Sequence, residues 1–267
     1  MPAADGPNET GTGDLHLIRQ AAREAGGIAM RYFKRNPEVW LKGGHSPVSE
    51  ADYAVDRFLR ETLISARPDY GWLSEETADT TARLAARRTF VVDPIDGTRS
   101  FLEGRSTWCV SVAVVEDGRP VAGVVDCPAK DEIYWAETGG GAWRNGDRLV
   151  VSSDLANPLI GGPKVLLDAA VARLPVPFRR SDYIPSLAYR ISMVASSKLD
   201  ATFVKPNSHD WDIAAAAVVL AETGGRIVDA AGKTVTYGGE NPRNGVLAAG
   251  RGPLLEAMIP VIAAAEF

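Results

Sequence analysis

The stretch from Phe90 to Phe101, F-V-V-D-P-I-D-G-T-R-S-F, limits more than any other what this chain can become. Val91 and Val92 are β-branched, and the apolar run then breaks at a proline and a glycine, as a buried strand does where it enters a turn. Pro94 has a fixed φ and no N–H, so the turn is expected to begin there. Gly97 admits backbone conformations that a side chain resists. Asp93, Asp96 and Thr98 would then gather two carboxylates and a hydroxyl at one strand end. Hard divalent cations such as Mg²⁺ take oxygen donors of this kind. Asp, Pro and Gly are also ordinary turn residues, so the stretch alone fits a capped turn equally well.

Its spacing separates two chemistries. An aspartyl nucleophile for phosphoryl transfer sits in D-x-D-G-T, with one residue between the aspartates. Here Pro94 and Ile95 intervene. The spacing disfavours a covalent aspartyl-phosphate and favours water, activated by metal, as the nucleophile.

The 267 residues suffice for one large domain or two halves sharing a core, and 45% hydrophobic with 24% charged residues is an ordinary globular balance. A formal net charge of −5 argues against direct nucleic-acid binding. It leaves room for a small phosphorylated substrate, because a bound metal reverses the local sign. Cys109 and Cys127 lie in apolar strand-like runs and read as core thiols without a disulfide. The first dozen residues have neither the basic nor the apolar region of a secretory leader. No apolar run reaches the ~20 residues of a membrane helix. A cytoplasmic protein is expected.

Residues 1–12 read as a disordered tail. Helical periodicity predicts a first helix from Asp14 to about Lys34 and a second from an N-cap at Ser49 to about Ala66, with Asp52 in its first turn. Between them, Lys42 and His45 are expected in a mobile glycine-rich loop over residues 39–47. Gly71–Leu73 reads as a brief strand delivering Ser74, Glu75 and Glu76, and residues 77–88 as a surface excursion. Adjacent carboxylates such as Glu75 and Glu76 repel unless a cation intervenes or one turns to solvent. After the aspartate turn come strands near 108–115, 121–127 and 132–135, then G-G-G-A-W-R-N-G, which reads as hairpin chemistry. Further helices are expected near 164–172 and 186–195, with a strand near 200–204. His209 and Asp210 read as loop residues, and Asp212 as the opening of an apolar helix with four successive alanines that ends at Gly224 and Gly225. Strands near 226–228 and 246–249 and a last helix to Ala265 complete the chain.

The order of these pieces is more specific than any one of them. A lysine loop before S-P-V-S-E-A-D, then S-E-E, D-P-I-D-G-T and W-D-I-A-A-A with a terminal G-G resembles the inositol monophosphatase family, over about residues 14–265. The resemblance implies an alternating α/β/α/β/α sandwich of the inositol monophosphatase and fructose-1,6-bisphosphatase type. It implies an N-terminal α+β half over residues 13–150 and a C-terminal α/β half over 151–267, forming one catalytic unit. Glu75, Asp93 and Asp96, with the Ile95 carbonyl, would be metal ligands, and Asp212 would close the site and help bind substrate. Thr98 and Asp52 would activate water together with Glu75, Gly97 and Thr98 would hold the phosphate, and Lys42 would help recruit a metal. About two or three Mg²⁺ ions would neutralise the ester and activate water. Lithium sensitivity and a homodimer are implied as well.

Departures from the family pattern bear on the substrate. Residues 201–208 contain no acidic residue to grip an inositol hydroxyl, and Lys205 stands near that place. Y-I-P-S-L-A-Y lacks the G-T/S-A of many inositol-specific members, and Ser74 replaces a glycine. The reading is therefore a Mg²⁺-dependent phosphomonoesterase acting on an inositol monophosphate or related sugar phosphate. Adenosine 3′,5′-bisphosphate is the main alternative and histidinol phosphate a further one. A regulatory protein-binding role with little turnover, or a cation-binding domain without turnover, are the alternatives of another class.

Overall fold

The periodicity of the first segment becomes α1 (Asp14–Tyr32), which buries Ile18, Ala21, Ala22, Ala25 and Ala29. The computed structural model describes residues 13–43, 46–151 and 156–267. The expected tail over residues 1–12, and Gly44 and His45 of the expected loop, lie outside them. The loop itself needs correction. Val39, Trp40 and Leu41 favour extended backbone, and β1 (Val39–Lys42) pairs antiparallel with β2 (Ser46–Ser49) as a hairpin. Ser49 then caps α2 (Glu50–Ala66), as expected.

The larger sheet follows in chain order: β3 (Gly71–Ser74), β4 (Arg88–Asp96), β5 (Cys109–Glu116), β6 (Arg119–Cys127), β7 (Glu132–Glu137), β8 (Gly141–Arg144) and β9 (Asp147–Arg148). β3 runs parallel to β4, and every later neighbour is antiparallel. Asn145 and Gly146, at φ 51° and 93°, close the expected hairpin between β8 and β9. The excursion before β4 is not wholly superficial. Arg83 is buried there and donates to Asp79 and to the carbonyls of Gly238 and Gly239. Pro94 does not start the turn: β4 continues to Asp96, and α3 (Thr98–Leu102) begins after Gly97.

The rest of the chain forms β10 (Leu159–Gly161), α4 (Lys164–Val171), β11 (Arg179–Arg180), α5 (Leu187–Ala195), β12 (Ala201–Val204), α6 (Asp210–Ala221), β13 (Arg226–Val228), β14 (Leu247–Gly250) and α7 (Gly252–Ala263). Its five-stranded sheet has the order β11-β10-β12-β14-β13. α6 begins at Asp210, two residues before the expected opening at Asp212, because His209 has the extended cap conformation.

Alternation along the strands assigns the layers. Phe90, Val92, Val112 and Val124 on one face of the large sheet pack with α1 and α2. Val91, Ala113 and Val125 on the other face pack with α5, α6 and the small sheet's Val204 and Leu247. Phe203 and Val228 turn to α4 and α7. The result is the α/β/α/β/α sandwich. The four-alanine run permits a close approach in the middle layer. A Cβ at Gly123 of β6 would stand 2.5 Å from the Ala215 carbonyl oxygen and from a Val218 methyl group.

Candidate active site

In a regular strand, residues three apart point to opposite faces, yet Asp93 and Asp96 line one cavity. The pairing of β4 with β5 explains this. Asp93 faces Ser111 and Asp96 faces Cys109, so β4 spends one extra residue there. This bulge re-aims the second carboxylate. Asp93 then accepts from its own turn, at the Ile95 N–H, 3.1 Å away. Asp96 accepts from the Ser186 hydroxyl at 2.7 Å and the Ala188 N–H at 2.6 Å, at the start of α5. Gly97 follows at φ 94°, where a Cβ would meet the Thr107 carbonyl and Ser186.

Thr98 opens α3 beside this bulge. Its hydroxyl lies 3.2 Å from Asp52 Oδ1 and 3.1 Å from the Ile95 carbonyl. Asp52 is buried in the first turn of α2, where Oδ2 accepts from the Ser49 N–H at 2.8 Å and the Ser49 hydroxyl at 2.6 Å. The cap is real, and Asp52 also faces Thr98. Burial pushes its carboxyl up to about 6, against the pull of the Ser49 donors.

Glu75 and Glu76 leave the end of β3, where the Glu75 N–H donates to the Val92 carbonyl. Asp56, one turn beyond Asp52 on α2, braces this segment by accepting from the Ser74 hydroxyl and, at 2.8 Å, from the Thr77 hydroxyl. Lys42, at the end of β1, donates to Glu75 at 3.1 Å and Glu76 at 2.7 Å. Burial works against the Lys42 charge, but the two glutamates outweigh it and its pKa is raised. Burial likewise dominates at Glu76, whose carboxyl is pushed up to about 7 despite the lysine.

Asp212 comes from much later in the chain, in the first turn of α6, and accepts from the His209 N–H at 2.7 Å. Asp210, expected in a loop, lies buried in the same turn and accepts from the Gly238 N–H and the Asn244 amide. His209 stacks on Trp211 at 4.4 Å. The Ser111 hydroxyl donates to the Trp211 carbonyl, tying the helix start to β5.

Glu75, Asp93, Asp96, Gly97, Thr98, Lys205 and Asp212 line one cavity of about 490 Å³. Asp52 and Lys42 reach it through Thr98 and Glu75, and the Ile95 carbonyl through Thr98. Burial raises Asp93 well above the usual carboxylate range, with Glu75, Asp96 and Asp212 adding to the effect. Burial, then Asp96, does the same to Asp212, and burial pushes Asp96 up to about 6. Three buried aspartates that resist joint ionisation, with the Glu75 carboxylate on the same cavity, fit a cation-binding centre, because a cation among them removes their repulsion. Among the described residues no three such side chains are already drawn into a metal-holding group. Their oxygens point instead to Lys42, Ile95, Ser186 and His209.

Sequence reasoning missed Ser186, Asp56, Tyr183 and Arg190. Ser186 had a local signal, since it caps α5 by accepting from the Tyr189 N–H. Arg190 had a weaker one, an arginine inside an otherwise apolar helix. Its guanidinium donates to the carbonyls of Ile184 and Phe203.

The family model described as the inositol monophosphatase family matches residues 15–265. An inositol-1-monophosphatase of Rhizobium meliloti is 35% identical, over 93% of this chain and 95% of its own length. A 3′(2′),5′-bisphosphate nucleotidase CysQ of Aggregatibacter actinomycetemcomitans is 32% identical, over 83% of this chain and 87% of its own. The solved structure of Thermotoga maritima IMPase TM1415 superposes with a TM-score of 0.82 at 27% identity, covering 93% of this chain and 96% of that one.

Proposed function

Since the chain belongs to the inositol monophosphatase family of phosphoric monoester hydrolases, we propose that it releases phosphate from a small phosphorylated metabolite in a Mg²⁺-dependent reaction with water as the nucleophile. The observation that carries this reading is the convergence of Glu75, Asp93, Asp96 and Asp212 on one cavity, with the Thr98 hydroxyl at its wall.

Glu75, Asp93 and Asp96, the Ile95 carbonyl and Asp212 would hold about two or three Mg²⁺ ions. When bound, these would neutralise the phosphate and lower the pKa of water. The chain's own residues do the rest. Thr98 accepts a hydrogen bond from the attacking water while donating to Asp52, and Asp52 takes up the proton. A carboxyl at about 6 suits that role near neutral pH. Glu75 helps orient the water. The N–H groups of Gly97 and Thr98 face the phosphate oxygens, and Asp212 orients the leaving group. Lys42 covers Glu75 and Glu76 until the cation charge is in place.

Inositol 1-phosphate is the first ester to test, because the Rhizobium meliloti relative bears that activity in its name. A nucleoside bisphosphate is the second, favoured by Lys205 at the cavity wall. The reading extends to a cytoplasmic homodimer, and no helix among the described residues is long and apolar enough to cross a membrane. The test is phosphate release from both esters with and without Mg²⁺, Asp96→Asn serving as the blank. Release in Mg²⁺ that the variant lacks supports the proposal, and no release from either ester counts against it.

A further inference from the structure

Glu75 and Asp212 line one cavity but come from places far apart in the chain, so the fold must fix the distance between them. The close packing of α6 on β6 at Gly123 is one tie. A second runs through Arg83, to which the reaction proposed above gives no role. Arg83 lies in a short 3₁₀ turn (Thr81–Ala85) between Glu76 and β4. That turn rests on β3, the strand that ends just before Glu75. A Cβ at Gly71 of β3 would stand 2.8 Å from the Arg83 Cβ and 3.1 Å from its carbonyl oxygen.

Arg83 is 4% exposed. A buried guanidinium is costly unless its charge and its N–H groups find partners. Nε and Nη2 grip the two oxygens of Asp79 at 2.6 and 2.8 Å, the two-point contact that a planar fork favours. Nη1 and Nη2 then donate to the carbonyls of Gly238 and Gly239 at 2.7 and 2.8 Å, across 155 and 156 positions of sequence. The glycine pair is itself held. The Gly238 N–H donates to Asp210 Oδ2 at 2.7 Å, and the Asn244 amide donates to Oδ1 at 3.1 Å. Backbone bonds continue the seam: the Asn207 N–H donates to the Asn244 carbonyl, the Asn244 N–H to Ser208 and the Asp210 N–H to Pro242. Asp210 and Asp212 share the first turn of α6, where Asp212 accepts from the His209 N–H. A continuous path therefore runs from β3 through Arg83, Gly238 and Asp210 to Asp212.

We propose that Arg83 is a positioning residue that sets the separation of Glu75 and Asp212, and with it the affinity of the cation centre they share. This rests on the phosphomonoesterase reading of that centre. Arg83 acts through Gly238 and Asp210 and touches neither cation nor substrate. Mg²⁺ demands near-octahedral geometry, so a displaced carboxylate weakens its binding. A lysine at position 83 would keep the charge without the fork, and could not hold Asp79 and both carbonyls together.

The test measures Mg²⁺ binding by calorimetry, and amide hydrogen exchange in EDTA, in wild type, Arg83→Gln and Arg251→Gln. Arg251 is the control for lost stability, because it makes the same kind of contact beyond the opposite end of α6. It donates to the carbonyls of Thr223 and Ala195 and to the Thr223 hydroxyl. Arg83→Gln should raise the Mg²⁺ Kd about tenfold and speed exchange at the His209 and Asp210 amides. Arg251→Gln should leave both unchanged. An unchanged Kd in Arg83→Gln, or equal losses in the two variants, overturns the proposal even where exchange quickens. If Arg83→Gln does not fold, Arg83→Lys takes its place under the same criteria. A wild type that binds no Mg²⁺ overturns the cation reading together with the proposal, whereas Mg²⁺ binding that the substitution leaves intact overturns the proposal alone.

Discussion

The Thr98 hydroxyl stands 3.2 Å from Asp52 Oδ1 and so joins the first turn of α2 to the first turn of α3 at the cavity wall. In the proposed reaction this hydroxyl would pass a proton to Asp52, which requires both side chains. Asp52→Asn and Thr98→Ala are each expected to lower kcat by about 10²- to 10⁴-fold. Thr98→Ser, which keeps the hydroxyl, should recover most of the rate. Initial rates of phosphate release check this, and full activity in Asp52→Asn would remove Asp52 from the proton path.

Acidity and metal should act against each other. Burial pushes Asp96 up to about 6, against about 4 in an unfolded chain. A carboxyl whose folded pKa is raised favours folding while protonated. Its contribution is complete below about pH 4 and disappears as pH climbs through about 6. The metal-free protein should therefore lose Tm between pH 5 and pH 7.5, and Asp96→Asn should flatten that loss. Mg²⁺ at about 100 times its Kd should restore about 2.7 kcal/mol. The gain should be larger at pH 7.5, where protons no longer compete with the cation. Thermal melts with EDTA or Mg²⁺ at both pH values measure it.

Asp56 does not line the cavity, but it holds the segment that presents Glu75 between the Ser74 and Thr77 hydroxyls. Asp56→Ala should lower the apparent Mg²⁺ affinity about tenfold, with a smaller effect on kcat at saturating Mg²⁺. Ser74→Gly, which removes one of the two donors, should fall between this variant and wild type. A Mg²⁺ titration of activity, repeated by calorimetry, tests both variants.

Gly123 marks a close contact between the large sheet and the middle helices, its missing Cβ leaving room for the Ala215 carbonyl. Gly123→Ala should cost about 1–3 kcal/mol in urea unfolding, because neither β6 nor α6 can move aside freely. An unchanged midpoint would show that the layers give way.

What could be read from the chain alone was whatever lies within a few residues. D-P-I-D-G-T, the S-x-x-D pattern at Ser49 and Asp52, and the apolar helix after Asp212 each carry a local signature. Their elements appear close to the expected positions. The contacts that brace the cavity-lining residues from behind have no such signature. Ser186 meets Asp96 and Asp56 meets Thr77 only after folding. The bulge in β4 depends on its pairing with β5, so Pro94 alone misplaced the turn. The glycines beyond Lys42 obscured the hairpin that β1 and β2 make.

The bulged strand, the glutamate segment and Thr98 all belong to the first hundred residues, whereas Asp212 arrives with α6. During synthesis the amino-terminal portion of the cavity is therefore on the nascent chain well before its last carboxylate. The α1–α2 layer and the large sheet can assemble first, as chains of this size commonly fold in parts. The ion centre would be finished only when the apolar helix seats against Gly123. Cation capture would then mark the completion of folding, not its beginning.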